Sequence, residues 1–224
     1  MKNFTPYLLA LSLSVIFTSC SSNEAEVIEN NPENLLQSYT LKRDATGAYS
    51  IDFNTANNTD VTTLTNTDNS KEIILAETVQ KTSTKHSNDF SIENNHLKIG
   101  FLETTNGKRK SIYVEDENIT FAKGITEFLN SYSITSNGDG TYSLDFTVND
   151  NVATDFIYND KLKTHEIHLS RGESLQKGFS RELETKANGV LKIDFVNHKQ
   201  QLSKGVLQKL IRKPVIILDD PTIL

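Results

Sequence analysis

Residues 39–53 read YTLKRDATGAYSIDF, and residues 132–146 read YSITSNGDGTYSLDF. In the first stretch Tyr39 and Leu41 alternate with Ser38, Thr40 and Lys42, and Tyr49, Ile51 and Phe53 alternate with Ser50 and Asp52. That is the two-residue period of a strand with one apolar face. Between the runs lie DATG, residues 44–47, and NGDG, residues 137–140, both rich in residues that tolerate positive φ or close an Asx turn. Each stretch therefore predicts a β-hairpin with its Tyr, Ile or Leu and Phe side chains toward a core and its Ser, Thr and Asp side chains toward water. Burying one such face supplies several kcal/mol, at about 1.5–3 kcal/mol per large side chain.

The echo runs on beyond the hairpin. KEIIL at 71–75 answers to HEIHL at 165–169, Gln80-Lys81 to Gln176-Lys177, and LKIGF at 97–101 to LKIDF at 191–195, all in the same order. The offsets are nearly constant: 132 against 39 is 93, while 166 against 72 and 191 against 97 are both 94. This regularity predicts an all-β fold built from two homologous antiparallel β units, residues 37–120 and 126–224. They stand either in tandem or as two halves of one pseudo-symmetric sheet assembly.

At the N-terminus Met1, Lys2 and Asn3 form a short basic region, and residues 7–17 form an apolar run too short to span a bilayer. The run ends in Phe17-Thr18-Ser19-Cys20, which resembles the lipobox of bacterial lipoproteins, with Phe where Leu is usual. The resemblance implies that residues 1–19 are a signal peptide and that Cys20 becomes the lipidated first residue, carrying palmitate-like acyl chains. Each buried CH₂ of those chains is worth about 0.8 kcal/mol, enough in combination to anchor the protein without a transmembrane helix. Residues 20–36 then form a polar, acidic tether. Ser21 in place of an Asp implies the outer membrane. Glu24, Glu26 and Glu29 loosely resemble a surface-export signal, so both the periplasmic face and the cell surface stay open. Cys20 is the only cysteine, which excludes an intramolecular disulfide and thiol catalysis.

The net charge of −6 makes the chain a poor partner for nucleic acid. Asn31-Pro32 offers a short helical turn over residues 33–37, and residues 126–129 take the same place in the second unit. Asn106-Gly107 and Asn188-Gly189 predict two-residue hairpin turns. The four prolines, Pro6, Pro32, Pro214 and Pro221, are confined to the ends, which suits sheets, whose interiors cannot spare a backbone donor. Within residues 198–212, Leu202, Val206, Leu207, Leu210 and Ile211 fall at helical spacing among Lys199, Lys204, Lys209 and Arg212. A short amphipathic helix is expected there, weakened by Gly205, and covering an open end of the β core.

Chemistry-bearing patterns are sparse. His165 and His168 sit in HEIH, but a zincin helix needs His at i and i+4, and on a strand these two face opposite ways. The matching residues of the first unit are Lys71 and Ile74. Residues 137–141 open like a calcium loop, yet Tyr142 stands where Gly is needed and Val148 where a bidentate Glu belongs, so a turn is expected. There is no nucleophile elbow, P-loop or Rossmann glycine signature. Asp52, Asp145, Glu72 and Glu166 are the carboxylates from which a glycosidase pair would be drawn, but Asp52 and Asp145 are expected on a solvent face. Tyr49, Phe53, Tyr142 and Phe146 alternate with core positions, and the chain has no Trp for sugar stacking.

No catalytic, cofactor-binding or metal residue is assigned; the one site residue is Cys20, for lipidation. The expected function is that of a non-enzymatic cell-envelope lipoprotein, held in the membrane by its N-terminal lipid, that binds an envelope protein partner or a small ligand through its β surface. A small-molecule or lipid carrier with a barrel-like cavity, as in lipocalin-like lipoproteins, and an envelope glycan or peptide hydrolase are the alternatives. The binding reading expects the largest pocket to be apolar or absent; a hydrolase needs polar side chains converging in one pocket.

Overall fold

The alternating runs form strands. The computed structural model describes residues 34–116, 128–185, 189–198 and 210–223. Seven strands come from the first half: β1 (Leu36–Arg43), β2 (Tyr49–Thr55), β3 (Thr59–Thr65), β4 (Lys71–Glu77), β5 (Lys85–Phe90), β6 (His96–Glu103) and β7 (Arg109–Glu115). Seven more come from the second: β8 (Leu129–Ser136), β9 (Thr141–Val148), β10 (Val152–Asn159), β11 (Thr164–Arg171), β12 (Gly178–Glu184), β13 (Leu191–His198) and β14 (Leu210–Leu218).

They assemble into a six-stranded sheet, β12-β9-β8-β1-β2-β5, and an eight-stranded sheet, β10-β11-β13-β14-β7-β6-β4-β3. Each order reads equivalently from both edges, because every strand of the first half meets its counterpart seven places on. The halves join edge to edge through β1 with β8 and β7 with β14, both antiparallel. Local registers repeat as well. Tyr39 pairs with Phe53 and Tyr132 with Phe146, and each hairpin carries a register shift near its start, at Leu36/Ser38 and Leu129/Ser131.

Inward-pointing side chains from both sheets and both halves make one core, in which Leu41, Ile51, Ile73, Ile99, Ile134, Leu144, Ile193 and Phe195 are fully buried. Tyr39 stacks on Phe101 across the sheets at 5.6 Å and 26°, with Phe53 edge-on to Phe101 at 5.3 Å and 70°. In the second half Tyr132 stacks on Phe195 at 5.5 Å and 24°, with Phe146 edge-on at 5.5 Å and 76°. The space between the sheets is filled by these rings and their aliphatic neighbours, as in a close-packed sandwich.

Several expectations change. The sheets are not purely antiparallel: β4 pairs with β6 and β11 with β13 in parallel. In each half the intervening strand, β5 or β12, belongs to the other sheet, so the chain returns in the direction it left, as a crossover requires. No helix occurs among the described residues. Of the expected helix at 198–212, His198 ends β13, and Leu210, Ile211 and Arg212 lie in β14, paired with His198, Asn197 and Val196; residues 199–209 lie outside the described residues. The short helical turns fare likewise: Leu36 and Gln37 belong to β1 and Leu129 to β8, with 31–33 and 126–127 outside the described residues.

Asn106-Gly107 does sit in a hairpin, but its loop runs from 104 to 108, with the Glu103 amide donating to the Lys108 carbonyl and the Gly107 amide to that of Glu103. Asn188 lies outside the described residues, and the stretch around Gly189 joins β12 and β13 of different sheets, so no hairpin forms. Pro214 lies within β14, not outside a strand. The missing N–H costs no ladder bond there, because the β13–β14 register shifts between Asp194 and Val196 and pairing with β7 begins only at Val215.

Candidate functional site

The outer face of the six-stranded sheet is carpeted by short polar side chains. Thr40 and Lys42 of β1, Ser50 and Asp52 of β2, Ser133 and Thr135 of β8 and Ser143 and Asp145 of β9 all alternate away from the core. A hollow of about 680 Å³ crosses this face and touches every strand, from Ser180 on β12 through Asp145, Ser133, Lys42 and Ser50 to Asp89 on β5. Its size lies within the usual range for ligand sites. The lining combines outward Ser, Thr and Asp side chains with the rings of Tyr49, Tyr132, Phe146 and Phe179, and its exposed surface is more apolar than polar. Its carboxylates do not converge. Asp89 and Asp145 stand four strands apart, about 19 Å along the sheet at ~4.8 Å per strand, against the roughly 5–10 Å of a glycosidase pair, and Asp44 is engaged by its own turn, accepting from Thr46 and Ala48.

The four carboxylates drawn from the sequence are also not brought together. Asp52 faces outward on β2, bound to Lys42 and to the Ser87 hydroxyl at 2.6 Å. The Lys42 hydrogen bond and then that of Ser87 hold its carboxyl below the ordinary range, the reverse of what a general acid needs. Asp145 is exposed on β9. Glu72 and Glu166 lie on the other sheet, where Glu72 accepts from Arg109 at 2.9 Å. The NGDG segment is a turn whose Asp139 accepts from the amide and hydroxyl of Thr141. Cys20 lies outside the described residues.

Two carboxylates that sequence reasoning missed, Asp116 buried and Asp219 part-buried, gather phenol hydroxyls at strand ends. Asp116, just past β7, is 3% exposed and accepts from the Arg43 guanidinium at 2.8 Å and the Tyr49 hydroxyl at 2.7 Å; the Tyr132 hydroxyl donates in turn to that of Tyr49. Asp219, just past β14, accepts from Tyr39 at 2.9 Å, Tyr142 at 2.6 Å and Lys110 at 3.0 Å. Burial first, and the neighbouring carboxylate second, push the phenols of Tyr39 and Tyr142 well up. They remain protonated donors, and the arrangement is a structural latch.

On the outer face of the eight-stranded sheet, three side chains form a chain. Glu166 on β11, only 5% exposed, accepts from the Nδ2 of Asn159 at 2.9 Å and lies 2.9 Å from the Nε2 of His168. The Nδ1 of His168 lies 2.6 Å from the Nε2 of His198 on β13. His165 points the other way, with its ring against Tyr158. The strand alternation separates His165 from His168 as expected, but the parallel β11–β13 pairing brings His198 to His168, a contact no local spacing announces. Burial, and then electrostatic interaction with the adjacent His168 imidazole, hold the His198 imidazole below the ordinary histidine range. A hollow of about 370 Å³ opens here, with Asp155 and Ser170 at its rim.

No protein family, curated protein or solved structure matches the chain.

Proposed function

We propose that this is a non-enzymatic cell-envelope lipoprotein, anchored through a lipid on Cys20 to the outer membrane, that binds a partner protein or ligand in the hollow of its six-stranded sheet. The supporting observation is the hollow itself. It crosses all six strands, is lined by outward polar side chains together with aromatic surface from Tyr49, Tyr132, Phe146 and Phe179, and sets Asp89 and Asp145 too far apart for paired acid–base work. Short side chains leave backbone and hydroxyl groups open to a ligand, and an N-terminal tether lets the domain face away from the membrane. We also propose that the two halves descend from one copied segment; the near-constant offset, the equivalent strand orders and the two matching Tyr-Phe-Phe triads support this.

The test has two arms. Cys20→Ser should move the protein from the membrane fraction to the soluble fraction; its retention in membranes contradicts the anchor. Ser133→Arg, at the middle of the hollow, should abolish capture of an envelope component that wild type retains. Identical capture by both proteins refutes the hollow as the binding surface.

A further inference from the structure

The pair His168 and His198 has no counterpart in the first half. The register position of His168 on β11 is held on β4 by Ile74, and that of His198 by Thr104, beside the same parallel pairing of LKI-type strands. The first half therefore folds into the same strand arrangement with no imidazole at either place. Two histidines added to one face of a sheet that does not need them, with a buried carboxylate behind one of them, ask for a role other than packing.

With both rings neutral, the hydrogen-bond chain fixes the tautomers. Glu166 can only accept when ionised, so His168 carries its proton on Nε2 and presents a lone pair at Nδ1. His198 then donates from Nε2 into that lone pair. A carboxylate that takes the far N–H of an imidazole, orienting the ring and raising its basicity, is the arrangement that stands behind metal-bound histidines. Asn159 in turn orients Glu166. Among the described residues no three His, Cys, Asp or Glu side chains form a closed ligand set, so any site here is an open one with two protein donors.

We propose that His168 Nδ1 and His198 Nε2 bind a divalent late transition ion, Cu²⁺ in preference to Zn²⁺, with the remaining positions filled by water. Imidazole nitrogens suit these ions, and Cu²⁺ stands highest in the affinity order for such donors. Binding replaces the shared proton by the ion: His198 shifts its proton from Nε2 to Nδ1, both rings stay neutral, and no redox step is involved. The nitrogens, 2.6 Å apart, need to open only to about 2.9–3.3 Å to act as cis ligands with bonds of ~2.0 Å. Both rings are only part-buried and border the 370 Å³ hollow, so an ion reaches them from solvent. Asp155, opposite His168 in register, adds negative charge at the rim.

The experiment is a titration of the detergent-solubilised full chain, free of any affinity tag, with CuCl₂ and ZnCl₂ in a non-coordinating buffer, read by calorimetry and by electron paramagnetic resonance of the copper form. One Cu²⁺ per chain is expected with a Kd of order micromolar, tighter than Zn²⁺. The spectrum should show two nitrogen donors. His168→Gln and His198→Gln should each weaken binding at least ten-fold, Glu166→Gln by roughly ten-fold, and His165→Gln should leave it unchanged. Absence of saturable binding below about 100 μM, a wild-type spectrum with fewer than two nitrogen donors, or wild-type affinity in either His168→Gln or His198→Gln overturns the proposal. The spectrum of the unaltered protein decides even if a variant fails to fold.

Discussion

Removing Asp116 tests how firmly the buried latch holds the two halves. The side chains of Asp116 and Arg43 are each 4% exposed and form a 2.8 Å ion pair, with the Tyr49 hydroxyl as second donor to the same oxygen. Asp116→Ala removes the carboxylate from a buried guanidinium that keeps its contact with the Asn130 carbonyl, at a cost of about 3–5 kcal/mol. It also deprives the Tyr49 hydroxyl of its acceptor, about 1–3 kcal/mol, part of which water entering the vacated space recovers. The sum of about 4–6 kcal/mol is a large share of a typical total stability of about 5–15 kcal/mol. With a urea slope of about 2 kcal/mol per M, the unfolding midpoint should fall by ~2–3 M. Replacing both charges, Arg43→Met with Asp116→Asn, leaves Tyr49 an acceptor and no charge to strand, so the double variant should lie within about 1.5 kcal/mol of wild type. Urea unfolding followed by far-UV circular dichroism measures both. A single-variant shift below ~0.5 M, or a double variant no more stable than Asp116→Ala, refutes the reasoning.

Two further outcomes follow from the turns. Gly138 has φ +82° and an added Cβ would lie 3.1 Å from the Gln37 carbonyl oxygen, whereas Gly107, at φ +67°, faces open space. Gly138→Ala should therefore cost about 1–2 kcal/mol and more than Gly107→Ala; equal melting temperatures for the two would contradict this. Asp44, Asp68, Asp139 and Asp220 each accept from a Ser or Thr hydroxyl and amide two residues on, and the hydroxyl bond is the main cause holding each carboxyl below its ordinary range. A depressed folded pKa contributes stability above the unfolded value of about 3.9 that disappears as pH falls through the folded values. The melting temperature should stay level from pH 7 to about 5 and drop below about 4; a level or rising curve down to pH 3 would refute it.

The strands were legible where alternation was clean. Tyr39, Leu41, Tyr49, Ile51 and Phe53 all face inward as their spacing predicts, and so do Tyr142, Leu144 and Phe146. What was hidden is non-local. Asp116 and Asp219 follow strand ends, where period-two reasoning stops, and their phenol partners come from strands of both halves. Glu166 carried no local sign of burial; it lies against the side chains of Asn159 and His168, from β10 and its own strand. The helical spacing near Leu210 misled because β14 begins there, and a short apolar run does not by itself separate helix from strand. The polar part of the hollow follows from outward Ser, Thr and Asp positions that the pattern did specify, but its aromatic surface and its breadth across the β1–β8 seam are encoded by no local signal.

Native-state hydrogen exchange of the full chain tests the shared core most directly. Amides of β1, β8, β7 and β14, which form the two seams, should exchange only through global unfolding, with one free energy common to both halves. Distinct opening free energies for residues 36–115 and 129–218, with the seam amides exchanging first, would contradict the account.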